Sequence, residues 1–285
     1  MLLVFCIDEQ HLMCDTRCLT TIPSSCVIPM HFSDPIYITR PFVAPLDTYT
    51  KLLNSVWQSQ WFTNNGPLVR QLERDLCNRL SISNTILVNN GTIALHVALK
   101  ALDLPKGTIL TTPFTWIATA SSIVWEGHIP QFVDVDPLTF NIDVTKVEAA
   151  ITSDTVAIVA VHVFSNPCDV EALEKISQKY NLPILYDAAH AFGVRTANRS
   201  IFEWGDISTA SFHATKVFNT AEGGGVFCNA IALQERVRSI RDFGFNSNRE
   251  IEMVGTNAKM SELHAALGLV NLPLVDRAIE KRRRL

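Results

Sequence analysis

The sequence predicts an α/β fold, a three-layer sandwich in which helices cover both faces of a mostly parallel central sheet. Short apolar runs alternate with amphipathic segments from about residue 85 to residue 186, and this alternation is typical of parallel sheets with crossover helices. Residues 156–161 are apolar without interruption, as expected for a strand buried on both faces. At 285 residues, the chain is long enough to form one large core.

The first predicted elements are two helices. Apolar residues recur at helical spacing over residues 46–60, and a second amphipathic pattern covers residues 68–80 after a turn at residues 64–67. Residues 1–34 have no clear periodicity. We interpret them as a poorly ordered N-terminal extension, or as sequence upstream of the natural start, and residues 35–285 as a single large domain.

Strands and helices then alternate along the chain. The apolar runs predict strands over residues 85–88, 108–111, 129–135, 156–161, 183–186 and 206–212, and helices over residues 93–102, 116–125, 143–151 and 169–180. Asp143 and Asp169 are the expected N-caps of the last two helices. After residue 212 comes a loop, a glycine-rich turn ending at Gly225 and an apolar run over residues 226–228, which predicts a returning strand.

Composition and charge exclude several classes of protein. The net charge is −4, and the few Lys and Arg clusters argue against a nucleic-acid partner. No apolar run reaches the roughly 20 residues that a membrane helix needs. The apolar start, residues 1–7, has no basic region before it, so we predict no secretion signal. Seven scattered cysteines fit a reducing cytoplasm, and with only Cys14 and Cys18 close together we predict no metal site.

Polar and small residues collect just after the predicted strands, where α/β sheets bind their ligands. In strand order they are Gly91 and Thr92, residues 113–116 with Trp116, His162 and Phe164, Asp187 and His190, and finally Ser211 and Lys216. The sequence therefore predicts a functional site at the carboxyl edge of the sheet.

Lys216 is the residue around which this site is organised. A lysine just past a strand end is usually a surface charge, because lysine is seldom buried. Here its neighbours are small and apolar, and the glycine turn and returning strand follow. A desolvated lysine loses proton affinity and can form an imine with an aldehyde, which suggests pyridoxal phosphate as cofactor.

The other residues match what this cofactor requires. Gly91 and Thr92 at a helix start, with the Ser211 hydroxyl, form a candidate phosphate cradle, although Gly-Thr is also an ordinary helix start. Asp187 would keep the pyridine nitrogen protonated; the alternative is a helix cap. Trp116 would stack on the ring, or else lie in the core. His190 would reach the ring oxygen, or would be a core histidine bonded to the backbone.

Seven stretches of the chain resemble the DegT/DnrJ-type sugar-nucleotide aminotransferases, which have the aspartate aminotransferase (type I) fold. The stretches are residues 61–68 (WFTNNGPL), 90–92 (NGT), 113–116 (PFTW), 132–136 (FVDVD), 186–193 (YDAAHAFG), 211–216 (SFHATK) and 255–262 (GTNAKMSE). They span roughly residues 36–285. The resemblance implies the large, pyridoxal-phosphate-binding domain of that fold.

The resemblance also implies roles for residues. Lys216 would hold the cofactor and move a proton, Asp187 would pair with the ring nitrogen and His190 would lie near the ring oxygen. Gly91, Thr92 and Ser211 would hold the phosphate, and Trp116 would stack on the ring. Asn257 would reach the phosphate in the neighbouring subunit of a homodimer. The implied reaction moves an amino group, usually from glutamate, to a keto group of a nucleotide-linked deoxysugar. Members with the same FHATK and EGG patterns act on dTDP-keto-6-deoxyhexoses of surface polysaccharide or O-antigen pathways.

Two departures from the family pattern bear on function. Ser165 stands where the family usually has glycine, and the chain stops at residue 285, where the family continues into a smaller C-terminal domain that closes the site. We therefore expect a fragment or truncated frame with weak or no turnover. Two alternatives stay open: a sugar dehydratase of the same fold, although such relatives replace the anchoring lysine with histidine, and a non-catalytic, regulatory relative.

Overall fold

The computed structural model describes residues 39–284. Nine α-helices and nine strands are present in this part of the chain. The helices are α1 (Leu46–Ser59), α2 (Pro67–Leu80), α3 (Gly91–Ala101), α4 (Ile117–Trp125), α5 (Val144–Ala150), α6 (Val170–Tyr180), α7 (Ile231–Arg241), α8 (Glu262–Asn271) and α9 (Val275–Arg284). The expected N-terminal extension and the Cys14–Cys18 pair lie outside the described residues.

Seven of the nine strands form the central sheet, and the other two form a small hairpin. The strands are β1 (Ile86–Val88), β2 (Thr108–Thr111), β3 (Ile129–Phe132), β4 (Thr155–Val161), β5 (Ile184–Asp187), β6 (Arg195–Thr196), β7 (Arg199–Ser200), β8 (Ile207–Ser211) and β9 (Gly224–Cys228). The sheet order is β1-β9-β8-β5-β4-β2-β3. All pairs from β8 to β3 are parallel. The prediction of a mostly parallel sheet is therefore confirmed.

The strand β9 is the exception within this sheet. It pairs antiparallel with β8 on one side and with β1 on the other. The pair β8 and β9 is the predicted arrangement of a strand, a loop carrying Lys216 and a returning strand. Gly224 and Gly225 lie in β9, and Gly224 pairs with Ser211 at the carboxyl end of β8.

Alternate residues of each strand face opposite sides of the sheet, and this divides the core in two. Leu87 and Ile158 belong to one apolar cluster, together with residues of α1, α2, α6, α8 and α9. Their neighbours Val88 and Val159 belong to a second cluster, which includes residues of α3, α4 and α7. Because side chains alternate across a strand, the two clusters are the two faces of the sheet. The three-layer prediction is thus confirmed.

Charged side chains form hydrogen bonds with the outer backbone edge of strand β1. Glu73 of α2 accepts a hydrogen bond from the Leu87 backbone N–H at 3.0 Å. Arg241 of α7 donates to the Leu87 carbonyl at 3.0 Å and to Glu73 at 2.9 Å. Unpaired edge strands invite pairing with other chains. This buried ion pair satisfies the backbone groups that β1 turns away from β9.

Most predicted boundaries agree with the structure to within two residues. Asp143 and Asp169 cap α5 and α6 as expected, accepting hydrogen bonds from the Thr145 and Ala172 N–H groups. The third strand, predicted over residues 129–135, ends at residue 132. Four residues later, the Asp136 side chain accepts hydrogen bonds from the Leu138 and Thr139 N–H groups and starts a turn. Such a turn competes with a longer strand.

Within residues 39–284, every helix falls short of the combined length and apolar character needed to cross a bilayer.

Candidate active site

Lys216 lies in a loop whose two ends meet at one buried residue. Phe212, the first residue after β8, donates its backbone N–H to the Gly223 carbonyl at 2.8 Å. The Phe212 carbonyl accepts the Thr220 N–H at 2.9 Å. Inside the loop, the Lys216 N–H donates to the His213 carbonyl at 2.9 Å and closes a turn. The lysine is therefore carried on a closed loop that is fixed at the end of the strand.

Two buried asparagines anchor the far side of this loop. Asn271 of α8 donates to the Asn219 carbonyl at 3.0 Å, and the Asn219 amide donates to the Phe42 carbonyl at 2.7 Å. The Asn271 side-chain oxygen accepts the Ala44 N–H at 2.8 Å. Buried amides that satisfy backbone groups fix a single arrangement. The lysine loop is thus tied to α8 and to the segment before α1.

The Lys216 side chain is half-buried, and its surroundings alter its proton affinity. Burial lowers the pKa of Lys216, and the charge of Asp187 opposes part of that effect. Burial also lowers the pKa of His190, which the charge of Lys216 lowers further and the charge of Asp187 raises. These three side chains, hereafter the lysine cluster, therefore lie close enough to influence one another's charge. A surface lysine, the default interpretation, does not fit this environment.

Asp187 is buried at the carboxyl end of β5, with 6% of its surface exposed. Its carboxylate accepts a hydrogen bond from the Thr119 hydroxyl at 2.7 Å and another from the Ala189 N–H at 3.1 Å. The residues that follow form a turn rather than a helix, so the helix-cap interpretation of Asp187 does not hold. A buried carboxylate needs partners; Thr119 and Ala189 supply two of them, and Lys216 interacts with Asp187 through its charge.

Gly91 and Ser211 are brought into direct contact. A Cβ atom added to Gly91 would lie 2.7 Å from the Ser211 Cβ and 3.1 Å from its Oγ. The helix α3 begins at Gly91, and Asn90 caps it by accepting the Ile93 N–H at 2.8 Å. In the part of the chain that the structure describes, no group accepts from the Gly91 or Thr92 N–H. Two free donors and a hydroxyl at a helix N-terminus fit a phosphate group.

Trp116, Thr92 and Asn257 are exposed. Trp116 precedes the first residue of α4 and leaves 60% of its surface open, so it is not a core tryptophan. It stands three residues before Thr119, whose hydroxyl bonds Asp187. Asn257 lies in a segment that pairs with Asp242 by an isolated bridge. A residue exposed at this place is available to a second chain.

Aromatic packing connects the lysine loop with the loop after β5. Phe218 stacks on Phe192 with ring centroids 4.7 Å apart, and it meets Phe212 edge to face at 4.9 Å. Phe192 follows His190 by two residues, and Phe218 follows Lys216 by two. Close-packed aromatic rings hold their backbones in register. The segments that carry His190 and Lys216 are therefore packed against each other in the core.

Two contacts next to the lysine cluster were not predicted from the sequence. Thr119 is a buried residue among apolar residues at the start of α4. A buried hydroxyl needs a hydrogen-bond partner. A threonine at an apolar helix start was therefore a signal in the sequence for a buried polar contact. The ring of Phe164 stacks on the His190 ring. Phe164 and His190 follow neighbouring strands at the same edge of the sheet, but the sequence pattern does not show which side chains stack there.

Comparison with known proteins agrees with this arrangement. The model of the DegT/DnrJ/EryC1/StrS aminotransferase family matches residues 47–285. The chain belongs to this family. The resemblance drawn from the motifs is confirmed, whereas the roles of the individual site residues stay predictions.

Three similar proteins illustrate the range of this family. A dTDP-4-amino-4,6-dideoxy-D-glucose transaminase of Shigella dysenteriae is 47% identical over 85% of this chain and 66% of its own length. A pleiotropic regulatory protein of Geobacillus stearothermophilus is 37% identical over 82% and 63%. The crystal structure of DesI with its TDP-sugar product superposes with a TM-score of 0.85 at 36% identity, over 89% and 64%. The chain spans about two thirds of the length of these relatives.

Proposed function

We propose that this protein is a pyridoxal-phosphate-dependent aminotransferase that moves an amino group from glutamate to a nucleotide-linked keto sugar. The observation that carries the proposal is the half-buried amine of Lys216, whose pKa is lowered by burial and influenced by the Asp187 carboxylate. A lowered pKa increases the fraction of neutral, nucleophilic amine at any given pH. Family membership supports the same chemistry.

Each part of the site has a task in this reaction. Pyridoxal phosphate, when bound, supplies an aromatic ring that accepts electrons from the substrate carbon. Asp187 would keep a proton at the ring nitrogen, and the Thr119 hydroxyl holds that carboxylate in place by a hydrogen bond. The Lys216 amine would hold the cofactor and would then move a proton between two carbon atoms. His190 would orient the ring through its oxygen.

The remaining residues bind and cover the cofactor. The Gly91 and Thr92 N–H groups and the Ser211 hydroxyl would hold the phosphate, because the helix start presents free donors there. Trp116 would cover one face of the ring and exclude water, since its own large surface is otherwise exposed. The position of each group at the carboxyl edge of the sheet supports these proposed assignments.

The substrate class is proposed from the relatives. The Shigella relative is named for a product with an amino group at carbon 4 of a dTDP-linked dideoxyglucose. By transamination, such a product arises from the corresponding 4-keto sugar. We therefore favour a dTDP-4-keto-6-deoxyhexose as acceptor. A role in surface polysaccharide or O-antigen synthesis, and a cytoplasmic location, stay predictions from the sequence.

The lysine assignment has a spectroscopic test. The purified protein mixed with pyridoxal phosphate should show the visible absorbance band of a lysine-bound cofactor. Lys216→Ala and Lys216→Arg should both lose that band, because an alkyl side chain and a guanidinium cannot form the bond, whereas Lys175→Ala on the exposed face of α6 should keep it. Retention of the band in Lys216→Ala would reject this residue as the anchor.

A homodimer with shared sites is proposed as the working form, with Asn257 reaching the partner's phosphate site. Its exposure in the single chain supports this proposal. Asn257→Ala should weaken cofactor binding. When Asn257→Ala and Lys216→Ala proteins are mixed, each heterodimer should regain one complete site and part of the visible band. A mixture that behaves as the sum of its two components would contradict the shared site.

A regulatory role without catalysis is the second candidate, because a 37% identical relative is a pleiotropic regulatory protein. Glutamate distinguishes the two. Conversion of the bound cofactor to its amine form supports transamination, and an unchanged spectrum favours the regulatory role. The dehydratase alternative is disfavoured by a lysine at residue 216, and product analysis with keto-sugar nucleotides would separate it from transamination.

A further inference from the structure

The segment after β4 carries two adjacent residues in an unfavourable backbone conformation. Phe164 has φ 51° and ψ 36°, and Ser165 has φ 69°. Residues other than glycine seldom adopt this left-handed backbone conformation, because their Cβ atom clashes with the following carbonyl group. Strain of this kind persists only where surrounding contacts impose it, and it clusters at functional sites.

The surrounding contacts come mainly from one buried side chain. The Asn141 side-chain oxygen accepts the Val163 N–H at 2.9 Å. Its amide donates to the Asn166 carbonyl at 3.1 Å and to the Pro167 carbonyl at 2.9 Å. Asn141 thus holds both ends of the strained turn. The turn is a built feature of the protein rather than a loose loop.

Both strained residues are directed at His190. The ring of Phe164 lies parallel to the His190 imidazole, with an interplanar angle of 4° and centroids 5.9 Å apart. The Ser165 hydroxyl donates a hydrogen bond to the His190 backbone carbonyl. One residue therefore faces the side chain of His190 and the next binds its main chain.

The Phe164 side chain contributes little to the stability of the fold. About 70% of its surface is exposed, so burial of its ring contributes only weakly to stability. Its other aromatic contact is with the partly exposed Phe114, edge to face at 6.1 Å. An exposed ring, held in a costly conformation against a single imidazole, is better explained by what it does to that imidazole.

We propose that Phe164 and Ser165 form a clamp that fixes the plane and the position of the His190 imidazole beside Lys216 and Asp187. This makes them positioning residues for the reaction proposed above, and in that respect the inference rests on the proposed function. The clamp also accounts for serine at residue 165 where glycine would be less strained, because glycine has no hydroxyl for the His190 carbonyl.

The clamp is tested first in the protein without cofactor. The charged groups that face His190 are Lys216, on the loop after β8, and Asp187, at the end of β5. The pKa of His190 is lowered chiefly by burial. Removing the stacked ring in Phe164→Leu admits water and should raise that pKa toward its ordinary value, by about half a unit. Histidine-labelled NMR gives the titration, with His190→Gln assigning the resonance.

Three further variants serve as comparisons. Phe164→Tyr keeps the ring and should titrate as the unchanged protein does. Phe140→Leu removes another partly exposed ring, one that stacks on Phe114 instead of His190, and it should leave the His190 titration unchanged. Ser165→Gly tolerates the left-handed backbone and removes only the hydroxyl and Cβ, so a raised His190 pKa there would support its part in the clamp.

The results that overturn the clamp are distinct from a failure of the proposed function. A His190 pKa in Phe164→Leu that equals that of Phe140→Leu, or that falls, overturns the stacking role. An unchanged pKa in Ser165→Gly removes Ser165 from the clamp. A change in association state without a change in His190 would assign Phe164 to an interface instead. Absence of the visible cofactor band in the unaltered protein would reject only the proposed function.

Discussion

The Lys216 amine affects stability as well as chemistry. Burial lowers its pKa in the folded state, so the unfolded chain binds more protons than the folded chain between the two pKa values. Stability contributed by this group therefore rises with pH across that interval and is lowest below it. At neutral pH, the half-buried ammonium group beside Asp187 therefore lowers the free energy of unfolding.

This cost predicts that replacing the amine stabilises the protein without cofactor. Lys216→Met should raise the free energy of unfolding at pH 7 by on the order of 1 kcal/mol, a figure reduced by solvent because the side chain is only half-buried. The gain should shrink as the pH rises and the amine loses its proton. Urea unfolding at several pH values measures it, with Lys175→Met on the exposed face of α6 as a control near zero. A gain that grows with pH would refute this account.

Residue 165 shows what a single position reveals only in three dimensions. The sequence shows serine where the family usually has glycine. The structure gives the reason for the usual glycine, since φ is 69° at this residue and glycine alone occupies that region without strain. The hydroxyl contact with the His190 carbonyl depends on the meeting of two loops, which no local pattern encodes.

At the scale of elements, α2 begins without a cap of its own. Gly66 occupies the N-cap position and has no side chain to accept hydrogen bonds. The carboxylate of Glu262 in α8 accepts the Leu68 N–H at 2.7 Å and the Val69 N–H at 3.0 Å instead. A negative charge at a helix N-terminus is favourable. This contact joins two of the family motifs, residues 61–68 and 255–262.

Because Glu262 caps α2, we expect substitutions at Glu262 and Gly66 to have coupled effects on the free energy of unfolding. Glu262→Ala leaves two N–H groups without a partner and should cost about 1–3 kcal/mol. Gly66→Ala should also destabilise, because its Cβ would lie 2.5 Å from the Glu262 Cδ. The double variant should lose less than the sum of the two, since the clash disappears with the carboxylate.

Chemical denaturation of the single and double variants measures this coupling, with Glu280→Ala on the exposed side of α9 as a control. Strictly additive losses would show that Glu262 and Gly66 act independently. A stable Glu262→Ala protein would show that water replaces the carboxylate at the start of α2.

The sequence predicted strands and their following helices well, but three C-terminal helices were not assigned. Within α8, Gly268 is unfavourable for a helix by its intrinsic propensity. The structure explains it: a Cβ there would lie 2.6 Å from Leu72 of α2, so glycine permits the close approach of two helices. A packing requirement between distant segments overrides local preference, and it cannot be inferred from either segment alone.

At the scale of the whole molecule, the site follows from topology. Parallel strands place their carboxyl ends along one edge, which is why residues after β1, β5 and β8 could be expected to meet. The contacts that refine the site were not predictable in this way. The hydroxyl of Thr119 on Asp187, the Phe192–Phe218 stack and the Asn271 anchor all join segments far apart in sequence, and each depends on exact side-chain packing.

The placement of β9 between β1 and β8 has a consequence for how the chain folds during its synthesis on the ribosome. Residues 86–88 leave the ribosome before every other strand of the sheet, yet the strand they pair with spans residues 224–228. Contacts between such distant segments form slowly, because a long loop must close first. The first strand of this sheet to be made is therefore among the last to pair, and until then its apolar residues are exposed to aggregation.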